Sequence, residues 1–311
     1  MNKVTPFIFP LRRLRHFSVG ISKTAGCFGL LYMLCFPMAA QTETQMERGI
    51  AVQTEPPLPE NRHTTHATLF GIGGSSLYDT YLSPTTYRGI QINMLHETLR
   101  KTHWAGGRIT TQSIVDGFVA STSNRMEKAD EYAGKCNYSI GWHYNWLLWD
   151  RLRIMAGGEA HAGLGVIYNT RNSNNPVQAK AEIDVGASAI AIFPFHIRKV
   201  PFTARYQFSL PLLGGMFSPQ YGQSYYEISH TGYDHNICFT YPGNAPSMRH
   251  FLTLDFPIAG FTFRAGYLCD IRQSSVNGLK SHIWNHSFMV GYVKHFSFIK
   301  RKDSQHRPFV M

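Results

Sequence analysis

Four side chains come closest to a hydrolytic pattern: Ser139, His143, Glu159 and His161. Acyl transfer by a hydroxyl needs an imidazole within hydrogen-bond reach and a third group that orients the imidazole. Ser139 and His143 are four residues apart and Glu159 and His161 two apart, so each pair shares one face of an extended strand. Strand rise puts the members of the second pair ~7 Å apart. His286 and Ser287 are adjacent and point to opposite faces, which argues against that pair. None of these spacings forms a hydrolase signature, so hydrogen-bonded histidines inside a β structure are the competing expectation. Metal chemistry has weaker support. His63 and His66 have helical spacing in a strand-like setting, and no Cys, His and Asp cluster has zinc or calcium spacing. Gly71-Ile72-Gly73-Gly74 precedes no helix and so is no phosphate loop. Neither a metal nor a cofactor is expected.

These residues sit in segments that alternate apolar and polar side chains with period two. Leu152, Ile154, Ala156, Ala160, Ala162, Leu164, Val166 and Tyr168 take one face, and Arg153, Met155, Glu159, His161 and Asn169 take the other. Tyr138, Ile140, Trp142, Tyr144 and Trp146 oppose Asn137, Ser139, His143 and Asn145 in the same way. Ten such strands are expected between residues 66 and 298, and twelve if residues 214–247 hide a hairpin. The phase of the first strand is ambiguous because Gly71, Gly73 and Gly74 interrupt it.

The ends carry different information. Arg12, Arg13, Arg15 and Lys23 precede an apolar stretch from Gly29 to Met38, and Ala39-Ala40-Gln41 offers a small-residue cleavage site. Residues 1–40 are therefore expected to be a secretory signal peptide. Their apolar stretch is too short to span ~30 Å of hydrocarbon as a helix. They hold five of the 30 Lys and Arg and none of the 19 Asp and Glu, so the remainder carries +6 rather than +11. Much of the basicity is targeting, and no nucleic-acid partner is read from it. Residues 41–65 are expected to be a flexible periplasmic lead-in and 299–311 a basic periplasmic tail. Cys136, Cys238 and Cys269 remain after cleavage, an odd number without metal spacing. A bridge between Cys136 and Cys238 is open on this reading.

Alternation behind an export signal predicts an all-β, antiparallel up-and-down barrel in the outer membrane. Connections near residues 100–102, 150, 198 and 260 read as short, and those at 120–133, 171–176, 213–247 and 273–280 as mostly longer. Short turns belong to the periplasm, so both termini are expected there. Trp142, Trp146, Trp149, Trp284, Phe193, Phe202 and Phe261 suit aromatic girdles. A soluble β-sandwich is the alternative, but its outer faces should carry more Lys, Glu and Thr.

The inward faces would collect Arg108, Arg153, Glu159, Lys180, Glu182, Asp184, Arg205, Arg249, Asp255, Arg264, Asp270 and Arg272. Opposite charges in a narrow interior should pair, which predicts a largely plugged lumen. The function expected is structural, or binding of a ligand or partner through outer loops. A narrow channel for small solutes and a lipid-modifying hydrolase are the alternatives. The binding candidates are Asp79, Tyr81, Ser83, Tyr87, Glu97, Arg100, Arg153, Arg205 and Arg264. Outer-membrane lipid and the barrel-assembly machinery are the expected partners, beside a small solute or surface partner.

The segment Asp79-Thr80-Tyr81-Leu82-Ser83-Pro84-Thr85-Thr86-Tyr87-Arg88-Gly89 reads as a hairpin loop with Tyr81 and Tyr87 flanking its tip. It follows GIGGSSLY and precedes Leu95-His96-Glu97-x-x-Arg100. Over residues 69–100 this pattern resembles an uncharacterised family of Bacteroidota outer-membrane proteins. The resemblance implies location and fold and carries no activity. The chain departs from a terminal aromatic ending, because Phe298 is followed by Ile299-Lys300-Arg301-Lys302.

Overall fold

The protein is described by a computed structural model at residues 62–125, 129–149, 151–231 and 235–298. The expected signal segment, the lead-in up to residue 61 and the basic tail lie outside these residues. Eleven strands run in chain order. They are β1 (Arg62–Asp79), β2 (Ser83–Lys101), β3 (Ile109–Asn124), β4 (Asp130–Leu148), β5 (Leu152–Asn169), β6 (Val177–Ile197), β7 (Val200–Phe217), β8 (Ile237–Thr240), β9 (Met248–Ile258), β10 (Phe261–Val276) and β11 (Leu279–Phe298). One helix, α1 (Tyr225–Thr231), precedes β8.

Ten of the strands close into an antiparallel barrel. β1 pairs with both β2 and β11, β6 with β5 and β7, and β9 with β7 and β10, so each wall strand has two partners. β8 is not an eleventh stave. It pairs only with Gly214–Phe217 of β7. Residues 214–247 therefore do not hide a hairpin that would bring the barrel to twelve.

The alternation read from the sequence sets the faces of the wall. Ile90, Ile92 and Met94 project outward while Gln91 and Glu97 are buried. Tyr138, Trp142 and Trp146 project outward while Asn137, Ser139 and His143 are buried. The structure settles the first strand: Leu69 and Leu77 face in, and Phe70 and Ile72 face out. Gly73 shows why glycine interrupts this strand, since a Cβ there would lie 1.8 Å from the His286 carbonyl oxygen on β11.

Connection lengths differ from expectation. The first and last described residues, Arg62 and Phe298, share one end of the barrel with the connections 102–108, 149–151, 198–199 and 259–260. The other end, called here the α1 end, holds 80–82, 125–129, 170–176, 218–247 and 277–278. Only 218–247 is long. The expected loops at 120–133 and 273–280 are mostly strand. β1 to β7, β10 and β11 have 16 to 21 residues. That is roughly 60 Å along a strand. At a tilt of ~40° it exceeds the ~25 Å apolar band of a membrane barrel. The hairpins thus continue as paired strands beyond that band. Asn277 and Gly278 both have positive φ, 51° and 74°, which closes β10 onto β11 in two residues. At the opposite end the expected third strand starts at Ile109 rather than 104, because Trp104–Gly107 forms a 3-10 turn.

The wall has one weak place. β7 and β9 are paired only from Thr203–Ser209 against Arg249–Asp255. Beyond Ser209 the gap between β7 and β10 is bridged by residues 241–247. There, the Ser275 N–H donates to the Asn244 carbonyl (2.7 Å) and the Gln273 N–H to Ser247 Oγ (3.2 Å).

Candidate functional site

The interior is filled. Two apolar clusters occupy part of it, one around Leu77, Tyr87, Ile167 and Ile283 and one around Leu69, Leu95, Phe251 and Met289. The rest is a charged network that crosses the lumen. Glu97 on β2 accepts from Arg205 Nη2 on β7 at 2.5 Å and from Arg264 Nη1 on β10 at 2.8 Å. Arg264 also grips Asp255 with two bonds of 2.6 and 2.8 Å. Gln112 Nε2 donates to Glu97 Oε1 and to Gln207 Oε1. Arg249 Nη1 on β9 lies 2.9 Å from Asp116 on β3, and Lys180 on β6 reaches Asp79 on β1 at 2.5 Å. In the order of the ten-strand ring, β2 and β7, β3 and β9, and β1 and β6 are five places apart. These ion pairs therefore tie opposite walls together.

The four hydrolytic candidates all face this interior. Their pairing differs from expectation. Ser139 and His143 share a face but sit four residues apart on β4, ~13 Å along the strand. Ser139 instead lies directly opposite His161 on β5, and His161 directly opposite Asp184 on β6. His161 Nδ1 is 2.9 Å from Asp184 Oδ2. Glu159 lies opposite Gly141 and accepts from Ser209. Ser139 Oγ, His161 Nε2 and both nitrogens of His143 are buried without a hydrogen-bond partner among the described residues. Asp184 was grouped from sequence with the lumen charges alone. Register between strands is the signal that links it to His161, and periodicity within one strand does not carry it.

A ligand-like group emerges here too. One atom each of His161, Glu182 and Asp184 lie within 4.8 Å of one another, although their sequence spacing has no metal pattern. Both carboxylates are already held by cations: Lys135 Nζ is 2.6 Å from Glu182, and Arg272 Nη1 is 3.0 Å from Asp184. A cavity of about 50 Å³ opens beside this group at the β7–β10 gap. Lys135, Glu182, Asp184 and Arg272 form its charged side, and Leu212, Leu213 and Met216 its apolar side.

The binding candidates divide among three places. Glu97, Arg205 and Arg264 meet in the lumen. Arg100 and Arg153 are exposed toward the end with Arg62 and Phe298 and join neither cluster. Asp79, Tyr81, Ser83 and Tyr87 gather at the α1 end in a tucked turn. Only residues 80–82 lie between the strands, and Tyr81 and Tyr87 are buried. Tyr87 Oη donates to Ser83 Oγ and accepts from Asn169, while Tyr81 Oη donates to the Gln223 carbonyl at 2.8 Å. Burial, then Tyr225, Asp79 and Glu227, push the Tyr81 phenol up to about 12. Ser224 and Glu227 cap α1 reciprocally, Ser224 Oγ accepting the Glu227 N–H and Glu227 Oε2 the Ser224 N–H. Arg108 is likewise exposed at the terminal end, where it donates to Tyr144 Oη, so it is no part of the lumen network. Cys136 and Cys238 are free thiols and are not bridged.

Comparison with known proteins gives a family and several barrels. No curated protein matches the chain. The translocator domain of the autotransporter NalP from Neisseria meningitidis is 10% identical, with a TM-score of 0.37 over 75% of this chain and 88% of that one. An outer-membrane channel from Pseudomonas putida F1 is 10% identical, with a TM-score of 0.41 over 77% and 97%. The transport unit of the autotransporter AIDA-I from Escherichia coli is 7% identical, with a TM-score of 0.40 over 79% and 93%. A family profile matches residues 29–303, most of the chain. The chain therefore belongs to the family described as a protein of unknown function (DUF3316).

Proposed function

We propose that this protein is an outer-membrane barrel whose lumen is sealed to ions. Its role is structural, or binding of a partner through the α1 end. One observation carries the sealed-lumen reading: three ion-paired links, Glu97–Arg205, Asp116–Arg249 and Asp79–Lys180, join strands on opposite sides of the ring. A conducting pore would need these bonds broken, and each break would strand a charge in a desolvated interior. The outward apolar side chains, among them Ile72, Ile90, Leu164, Ile183 and Phe288, support a lipid-facing wall. Lipid and the assembly machinery are its partners in this reading. The long connection 218–247 at the end opposite the chain termini supports periplasmic termini after removal of an export signal.

The test is planar-bilayer recording of the refolded protein. The expected result is at most small, infrequent current steps, both from the unmodified protein and from the Glu97→Ala/Arg205→Ala double variant, in which the other two links still cross the lumen. Large and stable steps from the unmodified protein would overturn the reading.

A further inference from the structure

The row Ser139, His161, Asp184 has a consequence that a sealed, structural barrel does not require. These residues occupy facing positions on three neighbouring strands, all directed inward. Directly opposed residues in such a pair place their Cβ atoms ~4.5–5.5 Å apart, close enough for a serine hydroxyl to swing to an imidazole. The Asp184 carboxylate takes Nδ1 of His161 at 2.9 Å. A carboxylate can only accept there, so Nδ1 carries the proton and Nε2 is left as the basic nitrogen. That nitrogen and Ser139 Oγ are both buried, and both lack a partner among the described residues. A buried polar atom left unpaired is costly, and functional sites are where such costs persist.

We infer that Ser139, His161 and Asp184 form an acyl-transfer site for a carboxylic ester with an apolar acyl chain. Ser139 Oγ attacks the ester carbonyl while its proton passes to His161 Nε2. The carbonyl re-forms, the alkoxide leaves, and it takes the proton from Nε2. Water then attacks the acyl-serine, gives a proton to Nε2, and releases the carboxylic acid as Ser139 regains its hydrogen. The net reaction is ester plus water to acid plus alcohol. Asp184 is a positioning residue, holding the ring with Nε2 free.

The route of the ester follows from the weak place in the wall. The cavity between β7 and β10 has Leu212, Leu213 and Met216 on its apolar side and Asp184 on its charged side. Leu212 and Leu213 are exposed on the barrel's surface. Lys135 lines the same cavity. Its side chain runs beside the vacant Cβ position of Gly163, two residues from His161, and ends on Glu182. In this proposal Lys135 is the gate.

The test uses the full refolded chain in detergent and a long-chain alkyl fluorophosphonate, with closure checked by heat-modifiable gel migration. The expected result is a single phosphonyl adduct on Ser139, seen by intact mass and peptide mapping, and absent from Ser139→Ala. His161→Gln is expected to slow labelling at least ~100-fold, and Lys135→Ala to speed it. Asp184→Glu should keep labelling that Asp184→Asn loses. Labelling kept in closed Asp184→Asn would remove Asp184 from the site. An adduct that persists in Ser139→Ala, or no adduct in either the closed parent or closed Lys135→Ala, would overturn the inference. Bilayer recording reads the seal separately, so either proposal can fail alone.

Discussion

Glu97 is the side chain on which the interior balance turns. It is 1% exposed and accepts from two arginines. Arg264 keeps Asp255 if Glu97 is removed, whereas Arg205 is left with the neutral Gln207 oxygen. Glu97→Ala should therefore destabilise the barrel by about 3–5 kcal/mol, the usual cost of stranding one partner of a buried pair. The urea midpoint for loss of the compact gel form measures it. A loss under about 1 kcal/mol would show that water replaces the pair. The inward position of Glu97 was legible from alternation with Ile92 and Met94. Its partners were not, because Arg205 and Arg264 lie 108 and 167 residues away. The same limit applied to Ser139. Its strand-mate His143 was visible in sequence, and its true neighbour His161 needed the β4–β5 register.

Strand pairing makes its own demands, and β1 shows them best. Its glycines blurred the sequence phase, yet one of them is an obligate contact. A Cβ on Gly73 would meet the His286 carbonyl at 1.8 Å, whereas one on adjacent Gly74 would meet nothing closer than 3.9 Å. Gly73→Val should block the β1–β11 closure and abolish the compact gel form, while Gly74→Val should close normally. Equal behaviour of the two variants would contradict this register. Strand lengths were legible only in part. The alternation of residues 109–124 and 261–276 was clear in their central stretches, but their polar ends read as loops. Those ends stay paired because each antiparallel partner continues alongside, as Asn277-Gly278 allows for β10 and β11.

The barrel as a whole has two unlike ends. The end with Arg62 and Phe298 is closed by connections of two to seven residues, and the α1 end carries the 30-residue connection. If the termini are periplasmic, an epitope inserted after the exposed Gly222 should be read by antibody on intact cells, and one appended at residue 311 should be read only after lysis. The reverse pattern would invert the orientation. Connection length was the sequence argument for this orientation, and it survives with less weight than expected. Of the connections expected to be long, 218–247 alone is long, and two others are largely strand.

From its residues alone the chain determined which side of each strand faces outward and which faces the lumen, because side-chain direction alternates locally and needs no partner. It also determined that opposite charges would share the interior. Which acid meets which base, whether twelve strands or ten close the ring, and that Ser139, His161 and Asp184 stand in one row were settled only by folding. Those facts depend on register between strands far apart in sequence. A slip of one residue in any one pairing would turn that strand's lumen face outward.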